Sequence, residues 1–171
     1  MAKILGLSLI QPFATLIATS MKRFETRSWR TPYRGLVAVH ASKDFPRKYR
    51  SLCYEDRHFR QALRLHDYDV ISATEIYPEL PTGQIIGVAS LSRCVPTSDV
   101  RDTIGLDESA FGDFGPGRYA WEFEWAERLP HPVPAKGMLG LWSLEQADRE
   151  NVLGQLSAIW CDADPCLNVG A

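Results

Sequence analysis

LSLIQPFATLIATSMKRFETRSWRTPYRGLVAVHASK, residues 7–43, alternates short apolar runs with Gln11, Lys22, Glu25, Arg27, Trp29, Arg34, His40 and Lys43. Just before it, Lys3–Leu9 reads as a buried strand. Pro12 suits the first turn of a helix, where its missing N–H costs nothing. Phe13, Leu16, Ile17 and Ser20 then share one helical face, so this helix is short and ends near Ser20. The run Arg23–Trp29 alternates, placing Arg23, Glu25 and Arg27 on one side of a strand and Phe24 and Thr26 on the other. Thr31-Pro32 breaks the chain, and Leu36–Ala41 is the next strand. The polar residues therefore fall at ends, turns and one strand face, an arrangement that builds a cationic, aromatic pocket rather than a core.

Working outward, Asp44 is placed to cap a helix with Pro46 in its first turn. Phe45, Tyr49, Leu52 and Cys53 form its apolar stripe, which Phe59, Ala62 and Leu63 continue. The segment 67–81 has few periodic cues and reads as a loop or irregular insertion. Gln84–Val95 is a strand, and Thr97–Gly117 holds a short helix and the Gly/Pro-rich loop FGDFGPG. Arg118–Leu129 sets Tyr119, Trp121, Phe123 and Trp125 on one face and Glu122 and Glu124 on the other, as a strand with one apolar face does. A short strand at Met138–Trp142 leads into a helix, Leu144–Trp160, and a weakly structured tail. Short strands broken by two or three helices predict a mixed α+β fold.

A chain of 171 residues fits one domain with an appended tail and can bury a substantial core. No apolar stretch reaches the length that spans a bilayer, and the amino terminus reads as a first strand rather than a signal peptide. The four cysteines (Cys53, Cys94, Cys161 and Cys166) show no zinc spacing, so neither metal nor cofactor is expected. Cys161 and Cys166 can pair in an oxidising setting; reduced thiols in a cytoplasmic protein are the expected state. The net charge of −2 hides a strong polarity. Residues 1–64 hold 13 basic and four acidic side chains, a balance of +9, whereas residues 65–171 carry a balance of −11. A phosphate-bearing ligand would be steered toward the first part, although much of the charge in 47–64 reads as the solvated face of a helix.

The ordered set Q-P-F/W-A, K-x-x-E-x-R-S-W, Y-R-G and H-A-S-K resembles an ASCH domain, a branch of the PUA-like superfamily. LPTGQIIGVASLSRCV (Leu80–Val95), GRYAWEFEWAERL (Gly117–Leu129) and PVPAKGMLGLW (Pro132–Trp142) are similar too. The resemblance covers roughly residues 1–145, expected as the ASCH (PUA-like) domain, and leaves 146–171 as a C-terminal helix and tail. It implies a small, mostly antiparallel β-barrel flanked by helices, and RNA binding linked to translation or RNA metabolism. One departure stands out: Ser20 occupies a place where the family usually has Gly, and if that turn needs a positive φ, serine carries strain that glycine would not.

The candidate ligand-binding residues are Gln11, Lys22, Glu25, Arg27, Trp29, Arg34 and Lys43. Lys22 can serve as a point charge for phosphate, or as a base if burial depresses its pKa. Glu25 and Arg27 either form a structural ion pair or hold a ligand's amino group and oxygens. Trp29 can stack on a base or pack in the core. Arg34 is a fork for phosphate, Lys43 sits at a strand-to-helix junction suited to phosphate, and His40 reads as a hydrogen-bonded core histidine. Lys136-Gly137 resembles a family position bordering the cleft. The leading reading is a module binding RNA or a nucleotide. The alternative is a small hydrolase of RNA or of a modified nucleoside, with Lys22 and Glu25 as catalytic residues. The N4-acetylcytidine amidohydrolases that the family includes place a threonine nucleophile three residues after the lysine, where this chain has Glu25. Thr26, next door, would point to the other face.

Overall fold

The structure is a computed structural model that describes residues 3–64 and 80–163. Ile4–Leu9 forms strand β1, and Phe13–Ala18 forms helix α1, entered through a cis Gln11–Pro12 bond. Strands β2 (Phe24–Arg27) and β3 (Gly35–Ala41) follow, then helices α2 (Arg47–Glu55) and α3 (Arg57–Arg64). Strand β4 (Gln84–Pro96) leads through a 3-10 turn at Thr97–Asp99 to helix α4 (Leu106–Ala110). The long strand β5 (Tyr119–Pro134), the short β6 (Leu141–Ser143) and helix α5 (Gln146–Ala163) complete the described chain.

The strands form one sheet in the order β2-β5-β4-β3-β1-β6. Only β1 and β3 run parallel, in register from Ile4↔Leu36 to Leu9↔Ala41; the other pairs are antiparallel. The sheet curls into a half-barrel flanked by helices. Shifts of register between β4 and β5, at Ile85/Gly87, Ala89/Leu91 and Leu91/Arg93, lie in its two longest strands; such bulges bend a strand and increase its twist.

Both faces of the sheet are covered, which is why β3 and β4 read as nearly continuous apolar runs. Val37 and Val39 enter a core with Leu7, Leu9, Ile17, Ala18, Trp121 and Phe123. Ala38, between them, enters the opposite core with Ile4, Ile85, Val88, Leu129 and Trp142, roofed by Val152 and Leu156 of α5. The period of two divides one strand between two cores. A third cluster joins Leu16 of α1 to Phe45, Cys53, Phe59, Leu63 and Phe111.

Three expectations need correction. The stripe of 45–63 is cut into two helices at Asp56, whose ψ of 126° is extended and whose Oδ1 accepts the His58 N–H at 2.8 Å. Asp44 does not cap α2: the helix starts after Pro46 with no side-chain cap. Glu122 does not face solvent opposite the aromatic ladder; it is 3% exposed, with Arg23 and Arg93 paired to its carboxylate. Most of the expected insertion 67–81, the tail and the Cys161–Cys166 pairing lie outside the described residues. Among the described residues no helix is long and apolar enough to cross a membrane.

Candidate functional site

The turn that ends α1 decides where Lys22 goes. Ser20 adopts φ = 60°, its N–H bonds the Ile17 carbonyl at 2.9 Å, and the Lys22 N–H bonds the Leu16 carbonyl at 2.9 Å. This is a left-handed helix cap of the kind glycine usually supplies. Serine accepts about 1 kcal/mol of strain there, and its Oγ donates to the Ala126 carbonyl at 3.0 Å.

The turn sends Lys22 inward, where its side chain is 1% exposed. Its Nζ donates to the Phe111 carbonyl at 2.7 Å, lies 3.6 Å from Glu25 Oε2 and sits 5.8 Å from the Phe13 ring centroid. Gly112 lets the loop close over the ammonium: a Cβ there would stand 3.4 Å from Nζ and 2.9 Å from the Phe114 ring. Burial pulls the Lys22 pKa below the ordinary lysine value, against the pull of Glu25 and Glu108. Glu25 Oε1 in turn lies 3.0 Å from Arg27 Nε, a close ion pair, and Arg27 Nη2 donates to the Ser8 carbonyl at 3.3 Å. Lys22, Glu25 and Arg27 thus form one charged line that joins the edge strand β2 to β1 across the open side of the half-barrel.

The other expected residues are dispersed. Gln11 is wholly buried; its amide donates to the Pro81 carbonyl at 2.8 Å and accepts the Thr15 N–H at 3.1 Å. Trp29 is 38% exposed, edge-to-face with Trp121 at 4.5 Å, and its carbonyl accepts the Trp121 indole N–H. Arg34 folds onto its own turn, donating to the Thr31 and Tyr33 carbonyls. Thr26 is 8% exposed and its Oγ1 accepts the Asp113 N–H at 3.0 Å.

Lys43 lies apart from that line, on an open cleft of about 740 Å³ that it shares with Lys136, Ser8, His40, Met138 and Leu139. Both lysines are exposed, and among the described residues neither ammonium has an ion-pair partner. The floor is polar but occupied. His40 is 2% exposed, and its Nε2 donates to the Ala135 carbonyl at 3.0 Å. That bond puts the proton on Nε2 and leaves Nδ1 a buried acceptor with no hydrogen-bond partner among the described residues. Burial lowers the His40 pKa, outweighing the Ala135 bond. Ser8 Oγ accepts the Trp142 indole N–H at 3.2 Å. Gly137 closes over both: a Cβ there would meet His40 Cε1 at 2.4 Å and Ser8 Oγ at 2.5 Å. Met138 and Leu139 are 51% and 99% exposed on the rim. Sequence reading reached Lys43 and Lys136 but missed Ser8, Gly83, Met138 and Leu139, whose convergence depends on β1, β4 and the segment after β5 meeting at one end of the sheet.

The ASCH domain family model matches residues 7–133. Among solved structures, the chain is similar to the crystal structure of ASCH from Zymomonas mobilis: TM-score 0.54, 14% identity, over 89% of this chain and 94% of that one. A tyrosine-to-phenylalanine mutant of that protein matches at TM-score 0.53 and 13% identity, over 90% and 98% of the two chains. No curated protein matches the sequence.

Proposed function

Since the chain belongs to the ASCH family, whose PUA-like fold is commonly linked to RNA binding, we propose that it binds single-stranded RNA or a nucleotide in the cleft between Lys43 and Lys136. The observation that carries this reading is that two lysines from distant segments, with no ion-pair partner among the described residues, converge on one cleft with an apolar rim. Its volume is of ligand size. Phosphates would lie against the two ammonium groups. A base would lie on the exposed faces of Met138 and Leu139. Gly83 and Gly137 keep the backbone close on either side. The basic balance of residues 1–64 supplies long-range attraction.

The Lys22–Glu25–Arg27 line supports this reading as scaffold. Its members pair with one another and with the Phe111 and Ser8 carbonyls, and they link β2 to β1. The hydrolase reading has one observation in favour, the depressed Lys22 pKa beside a carboxylate. Against it, the Lys22 side chain is 1% exposed and its ammonium donates to the Phe111 carbonyl.

Titration of a fluorescent single-stranded RNA at several salt concentrations tests the proposal. Affinity should fall steeply with salt, because phosphate contacts release counterions. A flat salt dependence, or no binding at low salt, would overturn it. Turnover of RNA or acetylated cytidine that vanishes in Lys22→Ala would establish the enzyme instead.

A further inference from the structure

A second cavity, about 300 Å³, lies on the other side of β2, where Arg23 and Arg93 meet over Glu122. Glu122 is on β5, with Arg93 directly across on β4 and Phe24 across on β2. One carboxylate oxygen pairs with Arg23 Nη2 and the other with Arg93 Nε. The carboxylate is 4% exposed, whereas the arginine side chains are 62% and 59% exposed. The buried acid therefore anchors one edge of each guanidinium and leaves the remaining N–H groups turned outward. Two cations share one anion. Glu108 also lines the cavity, but its two oxygens already accept the N–H groups of Arg23 and Phe24 at 2.8 and 2.9 Å. Among the described residues the charged groups lining the cavity are Arg23 and Arg93 against Glu108 and Glu122, with Glu124 lining an adjoining pocket beside Arg23. What the site offers an anion is therefore free guanidinium N–H donors rather than a surplus of charge.

We propose that the Arg23–Arg93 pair is a second anion site, built for a phosphate group and separate from the Lys43–Lys136 cleft. A tetrahedral phosphate presents oxygens in more than one plane, so it can take forks arriving at once from β4 and from the segment just before β2. The Glu122 carboxylate takes one N–H from each guanidinium, and the rest of each fork stays available to phosphate oxygens. Val100 and Ile104 line the cavity beside the arginines. Holding the arginines on Glu122 before the ligand arrives removes part of the ordering cost of binding.

The test is a titration of arginine-labelled protein with inorganic phosphate at low ionic strength, following the Nε–H resonances of Arg23 and Arg93, with chloride at matched ionic strength as control. Both resonances should shift saturably with phosphate alone. Arg93→Gln and Arg23→Gln should each weaken binding about tenfold, the worth of a charge-assisted hydrogen bond. Arg93→Lys, which keeps the charge and loses the fork, should retain part of the affinity, and thermal unfolding of each variant confirms that it is folded. Alanine at both Lys43 and Lys136 should leave the titration unchanged. Equal shifts with chloride, or unaltered affinity in both glutamine variants, would overturn the site. Displacement of phosphate by a short RNA identifies a phosphodiester as the source; displacement by a mononucleotide only identifies a monoester; both support the site. The cleft proposal fails separately, through loss of the salt-dependent RNA binding while this phosphate titration persists.

Discussion

The buried line Lys22–Glu25–Arg27 and the open cleft between Lys43 and Lys136 draw on the same kind of sequence, and the fold uses them in opposite ways. In the line each charge meets an opposite charge or a carbonyl, and solvent is excluded from Lys22 and reaches Glu25 and Arg27 only in part. In the cleft the two ammonium groups have no described partner, and the floor is held by neutral bonds from His40 and Trp142. A cation that is both satisfied and buried is part of the architecture. One that stands exposed beside an empty volume is available to a ligand.

The sharpest way to break this contrast is Glu25→Gln, which removes the carboxylate between two cations and leaves a buried ammonium held by one carbonyl. We expect a loss of about 3 kcal/mol in chemical denaturation, as for other broken buried pairs. A loss below about 1 kcal/mol, the scale of an exposed pair, would show that the line is not structural. Alanine at both Lys43 and Lys136 should do the reverse. Stability should stay within about 0.5 kcal/mol, while the slope of log affinity against log salt should fall by about 1.4, two single-strand phosphate contacts. An unchanged slope would move RNA away from this cleft.

Proton linkage separates the two regions further. Lys22 has a lowered pKa when folded, so the unfolded chain binds more protons in the window below the ordinary lysine value of 10.5. Stability should therefore rise with pH in that window and level off above 10.5, and the rise should be absent in Lys22→Met. His40 follows the same sign at lower pH. Its folded pKa lies below 6.5, so stability should fall as pH drops below 6.5 and level off under the folded value. His40→Gln should remove that dependence. Denaturation midpoints across pH, each variant against the parent, check both.

The smallest effect concerns thiols. Burial raises the Cys53 pKa to about 12, whereas Cys161 is exposed. Brief alkylation of the native protein near pH 8 should label Cys161 and spare Cys53, as read by peptide mass mapping. Rapid labelling of Cys53 would mean that the α2 cluster opens easily.

Much of the fold was legible because it rests on local periodicity. Alternation in residues 23–29 fixes β2 and its two faces, and the apolar runs at 4–9, 35–41 and 84–95 are strands as expected. Residues 20–22 were also readable in part, since a serine in a glycine's place raised the positive φ that Ser20 adopts. Asp56 shows the limit: the apolar stripe runs on past it, but its side chain caps the next helix, and local bonding overrides the period.

Glu122 shows the same limit in the site. Alternation opposes it to the aromatic ladder and suggests water, yet arginines from the two neighbouring segments cover it, and one strand's pattern carries no record of its neighbours. Sequence by itself determined the strand and helix types, the charge polarity and the residues that carry the family pattern, because these depend on contacts within a few positions along the chain. Tertiary structure alone decided that Lys22 is buried and Lys43 open, that Lys136 joins Lys43, and that Arg23 and Arg93 share one carboxylate. Those outcomes depend on how a six-stranded sheet curls and brings distant segments together, and desolvation, which decides what a charge can do, is set there.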